Sequence, residues 1–404
     1  MLKFTKKQWL IIVGCFFLLA INIGAFQSST SIYLLPVLDE LGFGRGEFTF
    51  YKTILLIVSA FLLPFYGSLI KKFGIKKVML ISSVSHGFAF ACYGLASEIW
   101  HFYFIALLQG LFYNGVSFMS VGVLINRWFD TNKGVACAIA FCGSGAGSAL
   151  LVPILTKFII NYGWRSVNIV VGIGGALLAI PLIALMIFDH IEQKANKTIS
   201  SNEDSGYSAN KAMKLPMFWL LGVAMFSLGF MASGTSNHTI TNLVDNGYSA
   251  TFAASVFSFF MLMQVLGKLL LGAIFDKFGV NVGNWLLGLS MMLFPLFAIF
   301  IGANALIPWL FALCLGFGSA GVSVPLNIMV SEFFGNRDFA VIFSRLSSLG
   351  TIGMAISSPI IGYIYDFSGS YNIAWILLFV MAVVIMVCLE SSYRYAQKKY
   401  HFDS

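Results

Sequence analysis

The chain has 404 residues, of which 59% are hydrophobic and 10% charged, with a mean hydropathy of +0.88. No soluble domain of this size could keep so much apolar surface in solution, so the composition points to a polytopic membrane protein. The formal net charge of +8 falls mostly in the loops between apolar runs, which argues for membrane topology and against a nucleic-acid partner.

Apolar runs of about 20 residues, each able to cross a hydrocarbon core of about 30 Å, recur along the sequence. The first, Trp9–Tyr33, follows Lys3, Lys6 and Lys7 and has no small-residue cleavage site, so it reads as a retained helix and not a removed signal peptide. Phe48–Ile70, Val78–Ser97, Trp100–Asn126, Val135–Phe158 and Trp164–Phe188 complete a first set of six. A second set follows: Leu215–Thr241, Thr251–Phe275, Val282–Ile301, Leu306–Val330, Phe339–Tyr363 and Asn372–Ser391. An even count puts both termini on one side. Loops on that side hold Lys71, Lys72, Lys76, Lys77, Lys211 and Lys214, whereas the other side holds Arg45, Lys52, Lys157 and Arg165. By the positive-inside rule both termini are cytoplasmic. The polar segment 190–214 reads as a flexible cytoplasmic linker, which divides the chain into residues 1–189 and 215–404. Cys15, Cys92, Cys137, Cys142, Cys314 and Cys388 all fall within apolar runs, without metal-ligand spacing, and read as small core residues.

The two halves repeat. Gly67-Ser-Leu-Ile-Lys-Lys-Phe-Gly74 aligns with Gly272-Ala-Ile-Phe-Asp-Lys-Phe-Gly279, and Arg127-Trp-Phe129 with Glu332-Phe-Phe334, both at an offset of 205 (272 − 67 and 332 − 127). Parallel six-helix repeats of this kind place a substrate site at the repeat interface.

Two cations interrupt the apolar runs. Lys268 stands eight residues before Asp276, about 12 Å inside the membrane edge at the helical rise, and Arg345 stands seven after Asp338, about 10 Å inside. A lysine near the bilayer centre costs about 2.5–3.5 kcal/mol, so such a residue normally faces a partner or a water-filled pathway. Lys268 shares a helix face with Gln264, Met261 and Phe257, and Arg345 with Ser348, Leu349 and Ile352. A carboxylate would be held there by charge-assisted hydrogen bonds, with the arginine able to form a bidentate fork. The blander account is that both side chains snorkel to the cytoplasmic boundary and anchor their helices. No Asp or Glu occupies the middle of any span, so a substrate anion is the expected partner of the two cations.

The glycine-bounded basic loops at Gly67–Gly74 and Gly272–Gly279 resemble the signature loop of the major facilitator superfamily, although Lys71 replaces the usual aspartate in the first copy. The stretches NRWFDTNKGVACAIAFCGSGAGS, YGWRS, HTITNLVDNGYSATFAAS and SEFFGNRDFAVIF narrow the resemblance to its monocarboxylate-porter and oxalate:formate-antiporter branch. The resemblance implies an all-α membrane protein of twelve transmembrane helices in two pseudo-symmetric six-helix bundles. It also implies a secondary transporter of small carboxylates in the cytoplasmic membrane of a bacterial cell, with a basic residue in the eighth helix where Lys268 stands. Drug-exporting branches carry an arginine where Ala106 precedes Gln109-Gly110, and a Gly-Pro signature where this chain has Gly143-Ser-Gly-Ala-Gly147.

Proton-coupled members carry an acidic residue where Gln264 stands. Since an amide cannot titrate, anion exchange or uniport is as well supported as proton symport. His238 is the remaining candidate that titrates near neutral pH on the pathway, and a hydrogen-bonded structural histidine is its plainer reading. His86 carries less weight, because its helix is typically peripheral in the resembled superfamily. Gln27 and Tyr33 in the first span, with Asn22, and Tyr113 and Asn114 in the fourth offer neutral donors and acceptors; helix–helix hydrogen bonding is their commoner role. The small-residue stretch Gly316–Ser323, with Asn327 beyond it, permits either close packing or room for a substrate. At the cytoplasmic rim Lys71 and Arg127 in one half face acidic Asp276 and Glu332 in the other, a set expected to gate the pathway.

The expected partners are therefore a small carboxylate, membrane lipid and either a proton or a counter-anion, for a monomer without cofactor or metal. Carriage of a neutral or cationic solute or drug, with Lys268 and Arg345 structural, is the alternative. An enzyme finds no nucleophile with a base in reach by sequence, and a sensor finds no appended soluble domain.

Overall fold

The computed structural model describes residues 4–129, 133–188, 206–322, 324–335 and 337–400. The side chains of Lys71, Asp276 and Asn327, and residues 190–205 of the expected linker, lie outside the described residues. Among the described residues the chain is built of helices: α1 (Lys6–Leu19), α2 (Leu34–Leu41), α3 (Arg45–Phe73), α4 (Ile75–Cys92), α5 (Ile99–Tyr113), α6 (Phe118–Trp128), α7 (Lys133–Met186), α8 (Ala209–Ala212), α9 (Pro216–Asp245), α10 (Ala250–Ile299), α11 (Ile307–Ser319), α12 (Val324–Phe334), α13 (Phe339–Ser368) and α14 (Asn372–Tyr400).

Ten stretches are long and apolar enough to cross a membrane. At the helical rise the 54 residues of α7 would run to about 80 Å, well beyond any bilayer. The chain turns within it at Gly163 (φ 77, ψ 154), which gives two passes. A similar turn at Gly279 (φ 81, ψ 170) divides α10 into Ala250–Phe275 and Lys277–Ile299, already two of the ten. With the shorter apolar stretch Ile307–Val322, the passes number twelve, and the chain is an all-α, multi-pass membrane protein.

The repeat reaches down to backbone dihedrals. Gly74 and Gly279 both take positive φ, 82 and 81, at the 205-residue offset (279 − 74). Gly42 and Gly247 do so as well, at 71 and 88 and the same offset (247 − 42). At φ near +80 with ψ near 150 a Cβ is nearly forbidden, so the glycines end one helix and aim the next.

By contacts the chain groups into two compact units, Met1–Gln193 with Asn237–Met261, and Lys194–Ser236 with Leu262–Ser404. In the first, a buried core of Ile11, Leu18, Tyr66, Met79, Leu124 and Ile183 gathers side chains of α1, α3, α4, α6 and α7. Large apolar side chains such as Phe61, Leu150 and Val170 are exposed, as a lipid-facing surface requires. The N-terminus of α1 is fixed by a capping box, in which Thr5 and Gln8 exchange backbone and side-chain hydrogen bonds.

Three runs that read as continuous helices are interrupted. The first passes from α1 into a π turn, Ala20–Ala25, and then a 3-10 turn, Ser28–Tyr33, before α2. A Cβ on Gly143 would stand 2.0 Å from the Phe16 carbonyl oxygen and one on Gly147 2.7 Å from Ala20 Cα, so the Gly143-Ser-Gly-Ala-Gly147 stretch brings α7 against the backbone of α1. The Gly24 carbonyl in the π turn accepts from Ser29 Oγ at 2.7 Å and Ser148 Oγ at 3.0 Å. Those hydroxyls stabilise a backbone that no longer follows the i−4 ladder. Further 3-10 turns follow α5 at Asn114–Val116 and α11 at Ala320–Val322.

Candidate functional site

Interrupted helices inside a membrane are tolerated where they line a cavity or are covered by protein, and in the first unit the breaks coincide with a buried polar layer. Asn22 is fully buried and donates to Leu18 O at 3.0 Å and Ser83 Oγ at 2.9 Å, while His86 Nδ1 lies 3.3 Å from its Oδ1. His86 is thus an interior residue of α4, within 6.1 Å of the Tyr113 ring, and not a peripheral one. Gln27 caps the 3-10 turn, and its Nε2 is buried without a hydrogen-bond partner, as are Tyr33 Oη and His86 Nε2. Asn114 Nδ2 donates to Ser59 O at 2.5 Å and so ties α3 to the break after α5.

Beside this layer lies a cavity of about 20 Å³, lined by Thr30, Tyr33, Val37, Phe48, Tyr51, Phe90, Tyr93, Phe102 and Asn168. Lys52 adjoins it. The lysine is 91% buried (9% exposed), and its ammonium donates to Thr30 Oγ1 and Asn237 Oδ1. Two helical turns earlier on α3, Arg45 forms a two-pronged ion pair with Asp245, at 2.6 and 3.0 Å. By sequence Arg45 and Lys52 read as charges on the side opposite the termini. The available signal was their spacing of seven, which sets both on one face of a helix running through apolar FTFYKTILL. His238 is fully buried in α9, with its carbonyl accepting from Thr241 Oγ1 at 2.9 Å.

In the second unit Lys268 is half-buried in α10. One turn earlier Gln264 Nε2 donates to Ser319 Oγ at 3.0 Å, at the end of α11 where the 3-10 turn begins. A Cβ on Gly267 would stand 3.1 Å from Phe317 Cα, and one on Gly318 2.5 Å from Met291 Cε. The small residues of the tenth span are therefore used for close packing. Arg345 is exposed near the start of α13, and its guanidinium lies against Met213 Sδ, just ahead of α9. Of the rim charges, Arg127 occupies the last turn of α6 and Glu332 is exposed on α12. The structure brings Gln264 and Lys268 onto successive turns of one helix and clusters Tyr113 with His86 and Asn22; Arg345 and Asn114 engage other partners.

Comparison with known proteins agrees with this architecture. The chain is 25% identical over 226 residues to the MFS-type transporter YcxA of Bacillus subtilis (strain 168), covering 56% of this chain and 55% of that one. It is 25% identical over 227 residues to the oxalate:formate antiporter of Oxalobacter formigenes, covering 55% and 53%. Both matches span about half of those relatives' length. Monocarboxylate transporter 12 of Xenopus laevis matches at 20% identity over 400 residues, 91% of this chain and 85% of that protein. In fold, the chain is similar to a bacterial homologue of the human lysosomal transporter Spinster, with a TM-score of 0.74 at 13% identity over 98% of each chain. It is also similar to the nucleoside transporter NupG, with a TM-score of 0.74 at 12% identity over 97% of this chain and all of that one. The Major Facilitator Superfamily model matches residues 15–244 and 219–400, and with the twelve-pass fold this places the chain in the major facilitator superfamily of transporters.

Proposed function

We propose that the chain carries a small mono- or dicarboxylate across the cytoplasmic membrane of a bacterial cell by alternating access, working by exchange or symport. The observation that carries this is Lys268, half-buried in an apolar helix, because a membrane cation is retained where it meets a partner or a pathway. The similarity to the oxalate:formate antiporter and to monocarboxylate transporter 12 supports the substrate class. In this reading Lys268 attracts the carboxylate and Gln264 positions it, Gln27, Tyr33, Tyr113 and Asn114 supply neutral groups from the first half, and His238 on the second half is the candidate group for carrying a proton. Residues 1–189 and 215–404 act as the two moving halves, joined by the linker 190–214, with both termini cytoplasmic and the chain working as a monomer. Lys71, Arg127, Asp276 and Glu332 form the cytoplasmic gate.

Arg345 favours a second reading in one respect. Its contact with Met213 suits an anchor of α13, as expected if the two cations were structural and the cargo a neutral or cationic solute. Counterflow in proteoliposomes separates the readings. Vesicles are preloaded with unlabelled carboxylates, and uptake of each labelled acid is compared for wild type, Lys268→Gln and Arg345→Gln. Uptake that requires internal carboxylate and falls by about tenfold or more in Lys268→Gln is the expected result. If no carboxylate exchanges, or if both variants match wild type, the cargo is not an anion held by these cations.

A further inference from the structure

Lys52 lies outside the proposed Lys268 site and has its own surroundings. An ammonium has three donors; two go to Thr30 Oγ1 and Asn237 Oδ1, both neutral. Among the described residues no ion pair includes Lys52. The nearest strong cation along its helix face, Arg45, is already matched by both oxygens of Asp245. One positive charge is therefore left over at a position 91% buried. Removing an ion from water is costly unless a counter-charge and further hydrogen bonds offset it.

The adjoining cavity offers what is missing. Thr30, which accepts from Lys52, and Tyr51, whose ring centroid is 6.0 Å from the ammonium, both form its wall. Tyr33 also lines it, 96% buried, with a hydroxyl that has no hydrogen-bond partner. A phenol with a spare donor thus lines one small space, an ammonium with a spare donor stands behind the Thr30 and Tyr51 part of its wall, and no carboxylate lines it. We propose that Lys52 and the Tyr33 hydroxyl hold a small monovalent anion in this cavity. One unmatched charge sets the valence, and about 20 Å³ limits the occupant to a halide or a small carboxylate head group. A resident halide and the transported carboxylate share this chemistry. The second source rests on the carboxylate function proposed above; the site itself does not depend on Lys268.

The test is thermal unfolding of the purified full chain in detergent, followed by intrinsic fluorescence during titration with sodium chloride or sodium formate against sodium sulfate at matched ionic strength. Lys268→Gln should keep a saturable rise in Tm. In Lys52→Gln the apparent affinity should fall by about tenfold, the usual scale for losing a charged hydrogen bond, and Lys52→Arg should retain most of it. Tyr33→Phe should weaken binding several-fold while leaving the anion-free Tm near wild type. Saturation by chloride alone identifies a resident halide; saturation by formate identifies a stopping point for cargo. If neither anion stabilises Lys268→Gln, or if Lys52→Gln binds as wild type does, the site is overturned. Should Lys52→Gln not fold, unchanged affinity in Tyr33→Phe overturns it instead. Wild type that binds chloride through Lys52 but exchanges no carboxylate refutes the carboxylate function and leaves the anion site standing.

Discussion

At the residue scale, the N-terminal half of α3 joins two kinds of charge management. Arg45 and Asp245 neutralise each other in a bidentate geometry, with side chains 11% and 22% exposed. A pair this enclosed falls between a solvated ion pair, worth about 0–1 kcal/mol, and a fully buried one, whose breaking costs about 3–5 kcal/mol. Asp245→Asn should therefore destabilise the protein by about 1–3 kcal/mol, and more than Glu390→Gln, which breaks the i,i+4 pair with an Arg394 that is 73% exposed. Thermal unfolding of the two variants, with an Arg45→Ala/Asp245→Ala cycle to isolate the coupling, checks the order. Equal losses would mean that Arg45 and Asp245 are screened as surface charges are. This pair was not legible in the sequence, and neither was the Lys52 contact with Asn237. Hydropathy reports where a run begins and ends; it does not report which residue 185 or 200 positions away completes a hydrogen bond. Lys268 was legible because an uninterrupted apolar run surrounds it on both sides.

At the scale of the element, most of the fold could be read from sequence, since an apolar run long enough to span a membrane has few alternatives to a helix. The interruptions could not. The π turn at Ala20–Ala25 lies in one of the most apolar runs of the chain, and what packs against it is α7, whose Gly147 approaches Ala20 from more than a hundred residues away. Positive-φ glycines make a sharper test of element boundaries. Gly74 and Gly279 combine φ near +80 with extended ψ, a region in which only glycine is at ease, whereas Gly42 (φ 71, ψ 18) is left-handed helical and open to asparagine. Gly74→Asn and Gly279→Asn should each cost about 1–3 kcal/mol, while Gly42→Asn should cost a few tenths. No Cβ clash enters at Gly42 or Gly279, where a built Cβ has nothing within 4 Å. Thermal unfolding of the three single variants separates backbone strain from packing, and similar losses at all three would remove the distinction.

At the scale of the whole molecule, the 205-residue repeat turns a sequence comparison into a statement about charge. Lys71 and Asp276 occupy equivalent positions (276 − 71 = 205), as do Arg127 and Glu332 (332 − 127 = 205), and at each the sign is reversed between the halves. Repeats that kept the same sign would repel wherever equivalent rims approach; reversed signs attract. The proposed gate follows from this inversion, and its strength is bounded. Solvated pairs contribute about 1 kcal/mol each at the upper end, so two shift the balance of states by up to about thirtyfold, enough to set a resting state and too little to lock it. Converting Asp276 and Glu332 together to lysine replaces attraction with repulsion. In a background without the six native cysteines, a single Ser348→Cys on α13 reports access from the cytoplasm. The double substitution should raise its rate of labelling by a membrane-impermeant thiol reagent about tenfold or more in inside-out vesicles, and added salt should shrink the difference, since exposed charges are screened within about 10 Å at 0.1 M. An unchanged rate, or an increase indifferent to salt, would mean that the inverted charges mark topology alone and that the resting state is set by apolar packing.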